Sequence, residues 1–174
     1  MRDIEEILQM VADMENTIFE DGWSVEALKS SLNYDYNYIL LAFICDEDIK
    51  LIRLKGYDGD YKKTTYNICE GSNLSDGYAF AGYLTYSTIQ SESELLRIAT
   101  KSEFRKKGIG TKLIKEYIED ISKTSCEGFL EVRENNFEAR KLYEKIGYKQ
   151  VGVRKNYYKN PLEDGVIYQI TFSK

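Results

Sequence analysis

"ELLRIATKSEFRKKGIGTKLIKEYIEDISKTSCEGFLEVR", residues 94 to 133, sets the order of elements around which the rest of the chain has to pack. "ELLRIAT" (94–100) is a nearly continuous apolar run of strand length. From 108 to 122, Ile109, Leu113, Ile114, Tyr117, Ile118 and Ile121 form a helical stripe, with Lys112, Lys115, Glu116, Glu119 and Asp120 mainly on the other face. "GFLEVR" (128–133) reads as a strand whose alternation places Phe129, Glu131 and Arg133 on one face and Leu130 and Val132 on the other. A strand, a helix and a strand in succession predict a crossover between parallel strands, with antiparallel neighbours on both sides.

Working outward, "YAFAGYLTY" (78–86) reads as an alternating strand, and "YILLAFI" (38–44) as a strand covered on both faces, with a hairpin partner at Ile49–Leu54. Ile4, Ile7, Leu8, Val11, Met14 and Ile18 make residues 3–19 an amphipathic helix. "DGWS" (21–24) turns the chain and offers Ser24 as the N-cap of a second helix, with Val25, Leu28 and Leu32 facing inward. Residues 55–77, rich in Gly, Asn, Asp and Ser, read as long loops around one short strand. Downstream, "FEARKLYEKIG" (137–147) is a short helix closed by Gly147, and "YKQVGVR" and "DGVIYQITF" form an antiparallel pair. The expected fold is mixed α+β around one largely antiparallel central sheet, in a single domain over residues 1–174.

Composition narrows the chemistry. With 24 Lys and Arg against 29 Asp and Glu, the net charge of −5 argues against broad binding to nucleic acid or to an anionic membrane, so any anion must be held locally. The absence of His removes the usual Ser/His, Cys/His and metal chemistries. Cys45, Cys69 and Cys126 share no close spacing and read as reduced core residues, and no metal site is expected. The N-terminus is charged where a secretory signal is apolar, and no run is long enough to span a membrane, so the expected location is cytoplasmic.

"RKKGIG" (105–110) crowds Arg105, Lys106 and Lys107 against two glycines at a helix start. The first N–H groups of a helix lack intrahelical partners and the macrodipole adds about half a positive charge, so the site attracts anions. The other reading is a solvated basic turn. The stretch lacks the Gly-Lys-Ser/Thr ending of a nucleotide P-loop and has no companion dinucleotide fingerprint.

"RKKGIG" after "LLRIAT" resembles the Arg/Gln-x-x-Gly-x-Gly/Ala pyrophosphate loop of the GNAT-superfamily N-acetyltransferases, which bind acetyl-CoA. "EVRENNFEARKLYEKIGY" (131–148), followed by "RKNYY" (154–158), and "FEDGWSVEAL" (19–28) are similar to the RimI-type branch, the ribosomal-protein alanine N-acetyltransferases. The resemblance implies the GNAT fold, in which a parallel, splayed strand pair interrupts the antiparallel sheet between flanking helices. It also implies that Lys106, Lys107, Gly108, Ile109, Gly110 and Thr111, beside Arg105, take the diphosphate of coenzyme A. The backbone of Ile98, Ala99 and Thr100 would pair with the pantetheine arm.

On the same resemblance Glu131 is the general base, where its residues alone also allow a structural ion pair with Arg133 or Lys141. Tyr143 is the general acid for the departing thiolate, on a helix stripe that also makes it a packed aromatic. Asn136 hydrogen-bonds pantetheine or serves as a plain N-cap. Trp23, Tyr157 and Tyr158 are walls of an acceptor groove or packing aromatics. An amine attacks the thioester directly. An α-amino group, with a pKa of ~8 against ~10.4 for Lys, is the easier one to deprotonate. The implied acceptor is the alanine N-terminus of a small-subunit ribosomal protein. The alternatives are a small amine such as a polyamine or aminoglycoside, or a coenzyme A-binding module without catalysis. The expected assembly is a monomer or weak dimer.

Three features depart from the family pattern. No strand is evident before the first helix. A segment at about 45–77 separates strands that are normally close, and reads as an insertion. Asn135 stands where the family usually has Ser.

Overall fold

The computed structural model describes residues 3–63, 65–68 and 77–173, and the side chains of 63 and 65–68 fall outside that description. Among the described residues, four helices and eight strands follow in the order α1 (Ile4–Ile18), α2 (Val25–Ser31), β1 (Asn37–Cys45), β2 (Asp48–Lys55), β3 (Thr65–Ile68), β4 (Ala79–Ile89), β5 (Glu92–Thr100), α3 (Ile109–Thr124), β6 (Glu127–Arg133), α4 (Phe137–Ile146), β7 (Lys149–Lys159) and β8 (Leu162–Thr171). The strands are hydrogen-bonded in the order β3-β2-β1-β4-β5-β6-β8-β7. β5 and β6 run parallel, joined by α3. The pairs β1·β2, β2·β3, β6·β8 and β7·β8 are antiparallel. The mixed α+β class and the central crossover are as the sequence predicts.

The chain forms two compact units, Met1–Tyr86 with Arg97–Glu116, and Ser87–Leu96 with Tyr117–Lys174. In the first, the stripe of α1 buries Ile4, Ile7, Leu8, Val11 and Met14 in one cluster with Leu28 and Leu32 beside α2 and Ile39, Leu41 and Phe43 of β1. Ser24 caps α2 by accepting a hydrogen bond from the Ala27 N–H at 3.2 Å. β1 is buried without interruption from Ile39 to Ile44, as an apolar run covered on both faces requires. Its hairpin partner β2 places Ile49 opposite Ile44 and Leu54 opposite Ile39.

Two periods differ from expectation. β4 is not alternating: Phe80 to Tyr86 are all buried. Small residues allow this close packing; a Cβ on Gly82 would come within 2.5 Å of the Ala99 carbonyl oxygen and 3.3 Å of Ile109. β5 is the strand that alternates, with Ser93 and Leu95 buried and Glu92, Glu94 and Leu96 exposed. Within 45–77, the described residues form β2, a 3-10 turn at Tyr61–Lys63 and β3; Cys69 and most of "EGSNLSDG" lie outside the described residues. Cys45 and Cys126 are free and partly buried. Among the described residues no strand precedes α1, and no helix is long and apolar enough to cross a membrane.

In the second unit, Gly128 lets α3 approach β6; a Cβ there would lie 2.8 Å from Ile121 and 3.0 Å from Ile170. Leu130 and Val132 face the core with Val166 and Tyr168 of β8. α4 starts at Asn136, whose side chain accepts from the Ala139 N–H, and stops at Gly147, left-handed at φ 115°.

Candidate active site

The first unit carries the end of β5 and the basic loop. Ala99 is buried, while Ile98 and Thr100 are partly accessible. The Lys101 N–H returns to the Ala81 carbonyl at 2.9 Å, and a 3-10 turn (Ser102–Phe104) leads into the cations. Lys106 (φ 63°) and Gly108 (φ 83°) both adopt left-handed φ, of the kind found where backbone N–H groups line an anion nest. A Cβ on Gly108 would meet nothing within 4 Å, so the space over the loop is open. The first helical bond of α3 runs from the Lys112 N–H to the Gly108 carbonyl, leaving the N–H groups of Ile109, Gly110 and Thr111 at the open helix start. Arg105, Lys106 and Lys107 are exposed and, among the described residues, none is ion-paired to a carboxylate. Left-handed backbone, open N–H groups and unpaired cations together fit a diphosphate.

Trp23 belongs to the same unit. Its N–H donates to Glu15 Oε2 at 3.0 Å, and its ring lies under the Arg97 guanidinium at 5.5 Å. Glu15 is fully buried; Arg97 approaches it at 3.4 Å and also pairs with Asp21 at 2.9 Å, and the Tyr83 hydroxyl donates to Glu15. This network pins the turn that carries Trp23. Sequence reasoning passed over it, although Glu15 is a carboxylate next to Met14 on the apolar stripe of α1.

The second unit brings together Glu131, Tyr157 and Tyr158. A cleft of about 450 Å³ is lined by Glu92 and Glu94 of β5, Phe129 and Glu131 of β6, Arg154 of β7 and Ile167 of β8, among others. Glu131 Oε2 lies 3.4 Å from Arg154 Nε, while Oε1 is buried without a hydrogen-bond partner. The expected ion pair with Arg133 or Lys141 is not formed; Arg133 instead bonds Glu163 and the carbonyls of Asn160 and Pro161. Burial raises the Glu131 carboxyl above its ordinary value, Arg154 opposes that, and Glu94 adds to it.

Tyr158 is pushed up to about 12 by burial and by Glu131, under the Arg133 guanidinium 4.2 Å from its ring. Tyr157 stands edge-on to Tyr158 with ring centroids 5.1 Å apart. Tyr143 is packed as its helical stripe requires, edge-on to Tyr148 at 6.0 Å and tilted against Tyr168 at 6.2 Å. Burial, with Tyr158 nearby, holds its hydroxyl far above the usual tyrosine range. Asn136 is the N-cap of α4; its carbonyl oxygen is used for capping and its NH₂ has no acceptor among the described residues. Arg154, Glu94 and Gly165 were not singled out from sequence, and only the strand register brings them to Glu131.

The profile of the Acetyltransferase (GNAT) family matches residues 8–148. The chain belongs to the GNAT acetyltransferase family. Among curated relatives of this GNAT protein, the [ribosomal protein bS18]-alanine N-acetyltransferase of Haemophilus influenzae is 38% identical over 89 residues, 51% of this chain and 60% of the relative. That of Escherichia coli K12 is 30% identical over 93 residues, 53% of this chain and 62% of the relative. The first relatives are thus matched over 53–66% of their own length. Among solved structures, the ribosomal-protein-S18-alanine N-acetyltransferase of Escherichia coli superposes with a TM-score of 0.65 at 21% identity, covering 96% of this chain and 88% of that one. Ard1 of Thermoplasma volcanium gives 0.67 at 16% identity, covering 99% and 97%. These likenesses establish the GNAT fold.

Proposed function

We propose that this GNAT protein is an acetyl-CoA-dependent N-acetyltransferase acting on a protein N-terminal α-amino group, with the alanine N-terminus of ribosomal protein bS18 as acceptor and the cytoplasm as its place of work. The observation that carries the reading is Glu131: a partly exposed carboxylate on the wall of an open cleft, raised above its ordinary value by burial. The names of its relatives support the choice of acceptor.

Acetyl-CoA, when bound, supplies an activated acetyl thioester. The loop from Arg105 to Thr111 would hold its diphosphate by backbone N–H groups and cations, the strand Ile98–Thr100 would pair with pantetheine, and the Asn136 NH₂ would donate to it. Glu131 would accept the proton of the incoming ammonium, directly or through water, leaving the amine free for acetyl transfer. Tyr143, kept protonated by burial, would supply the proton that the departing thiolate needs. Two groups whose environments hold one ready to accept and the other ready to donate are the acid–base pair that such a transfer requires. The acidic walls Glu92, Glu94 and Glu131 attract a cationic N-terminus.

The test is thiol release from acetyl-CoA with the bS18 N-terminal peptide, against polyamines and aminoglycosides. Turnover on the peptide is expected. Turnover confined to small amines would overturn the acceptor, and coenzyme A binding without any turnover would overturn the enzyme reading.

A further inference from the structure

Glu131 is held asymmetrically. Arg154 Nε sits 3.4 Å from Oε2, and the same guanidinium lies over the Tyr157 ring at 5.2 Å. On the other side is Gly165, where a Cβ would come 2.7 Å from Oε1 and 3.2 Å from Tyr157 Cδ1. Any larger residue at 165 would therefore fill the space that Oε1 keeps. One oxygen is engaged by a cation braced on an aromatic ring, and the other is left without a partner.

We propose that Arg154 is the positioning residue of Glu131: braced on Tyr157, it holds Oε2 on the cleft side while Oε1 is shut against Gly165, which fixes the aim of the carboxylate toward the acceptor's amine. The reading rests on the base role proposed above but goes beyond it, because it assigns the aim and charge of the carboxylate to a residue on another strand. The groups around Glu131 are Glu92 and Glu94 from β5, Arg133 on its own strand face, Arg154, Tyr157 and Tyr158 from β7, and from β8 Gly165 and Ile167, which carry no charge. Burial and Glu94 both favour protonation of the carboxyl, and Arg154 is the cation that opposes them. Removing it takes away the cation that offsets burial and Glu94. Arg154 is more than half exposed, so replacing it disturbs little packing.

The experiment is a carboxyl-carbon NMR titration of Glu-labelled protein, with the Glu131 signal assigned by its loss in Glu131→Gln, carried out on wild type, Arg154→Met and Arg154→Lys. The midpoint of Glu131 is expected to move upward in Arg154→Met and to return most of the way in Arg154→Lys. With the bS18 peptide, the acid limb of kcat/KM should move in the same direction while KM for acetyl-CoA stays at the wild-type value. A midpoint unchanged in Arg154→Met, or one that Arg154→Lys does not restore, overturns the proposal. Wild-type turnover by Glu131→Gln would instead overturn the base reading alone, since the titration still decides whether Arg154 governs Glu131.

Discussion

Gly165 lies opposite Arg133 on β6 and opposite Arg154 on β7. A single methyl group there meets the Glu131 carboxylate before it meets any core side chain. Gly165→Ala is therefore expected to rotate the carboxylate and lower kcat by ~10²-fold, the order of loss that a misplacement near 1 Å produces, with KM for acetyl-CoA unchanged in steady-state kinetics. Glu131→Gln removes the proposed proton acceptor and is expected to lower kcat by ~10²–10⁴-fold while calorimetry shows unaltered coenzyme A binding. Glu131 is legible in the sequence because "FLEVR" alternates and puts a carboxylate in an element that otherwise reads as core. Gly165 and Arg154 are not, because their approach depends on the β6·β8 and β7·β8 registers. The latter shifts between Gln150 and Gly152 and again between Arg154 and Tyr158, and residue pattern does not encode such irregularities.

At the scale of elements, helical stripes and caps were readable, since α1, α3 and α4 follow a 3.6-residue period, Ser24 caps α2, and Asn136 and Gly147 cap α4. The periods of β4 and β5 were exchanged because burial of a strand depends on what covers each face. Ala, Gly and Thr in β4 pass for the polar half of an alternation, yet they are what lets both faces be covered closely. The α1–α2 turn shows the same limit. Its conformation is set by the buried Glu15 and its partners Arg97, Tyr83 and Trp23. Arg97→Met would leave that carboxylate without its cation and is expected to cost ~3–5 kcal/mol. Thermal or urea unfolding measures it. Because Trp23 hangs on the same network, its fluorescence in the folded state should change as well, whereas a purely surface role for Arg97 predicts neither effect.

For the molecule as a whole, a raised carboxyl places function and stability in opposition. In the folded state Glu131 binds its proton more tightly than in the unfolded chain, chiefly because burial disfavours the charge. The native state then carries more protons than the unfolded one between the ordinary carboxylate value and the raised one, so stability falls as pH rises through that window. Above it both states are ionised and the penalty stays constant; below it both are protonated and the penalty is gone. Glu131→Gln, which cannot ionise, should therefore be more stable than wild type at neutral pH. The difference should close as pH drops below the ordinary carboxylate range, provided the exposed Arg154 finds water in place of its partner. Urea unfolding of both proteins from pH 3 to pH 8 reads this directly. A gain that persists unchanged into acid would mean that the substitution acts by packing and that Glu131 is not held in its charged form at a cost. A gain confined to neutral pH would identify the carboxylate as a group kept ionised against its surroundings, as a base on the wall of a cationic acceptor's cleft has to be.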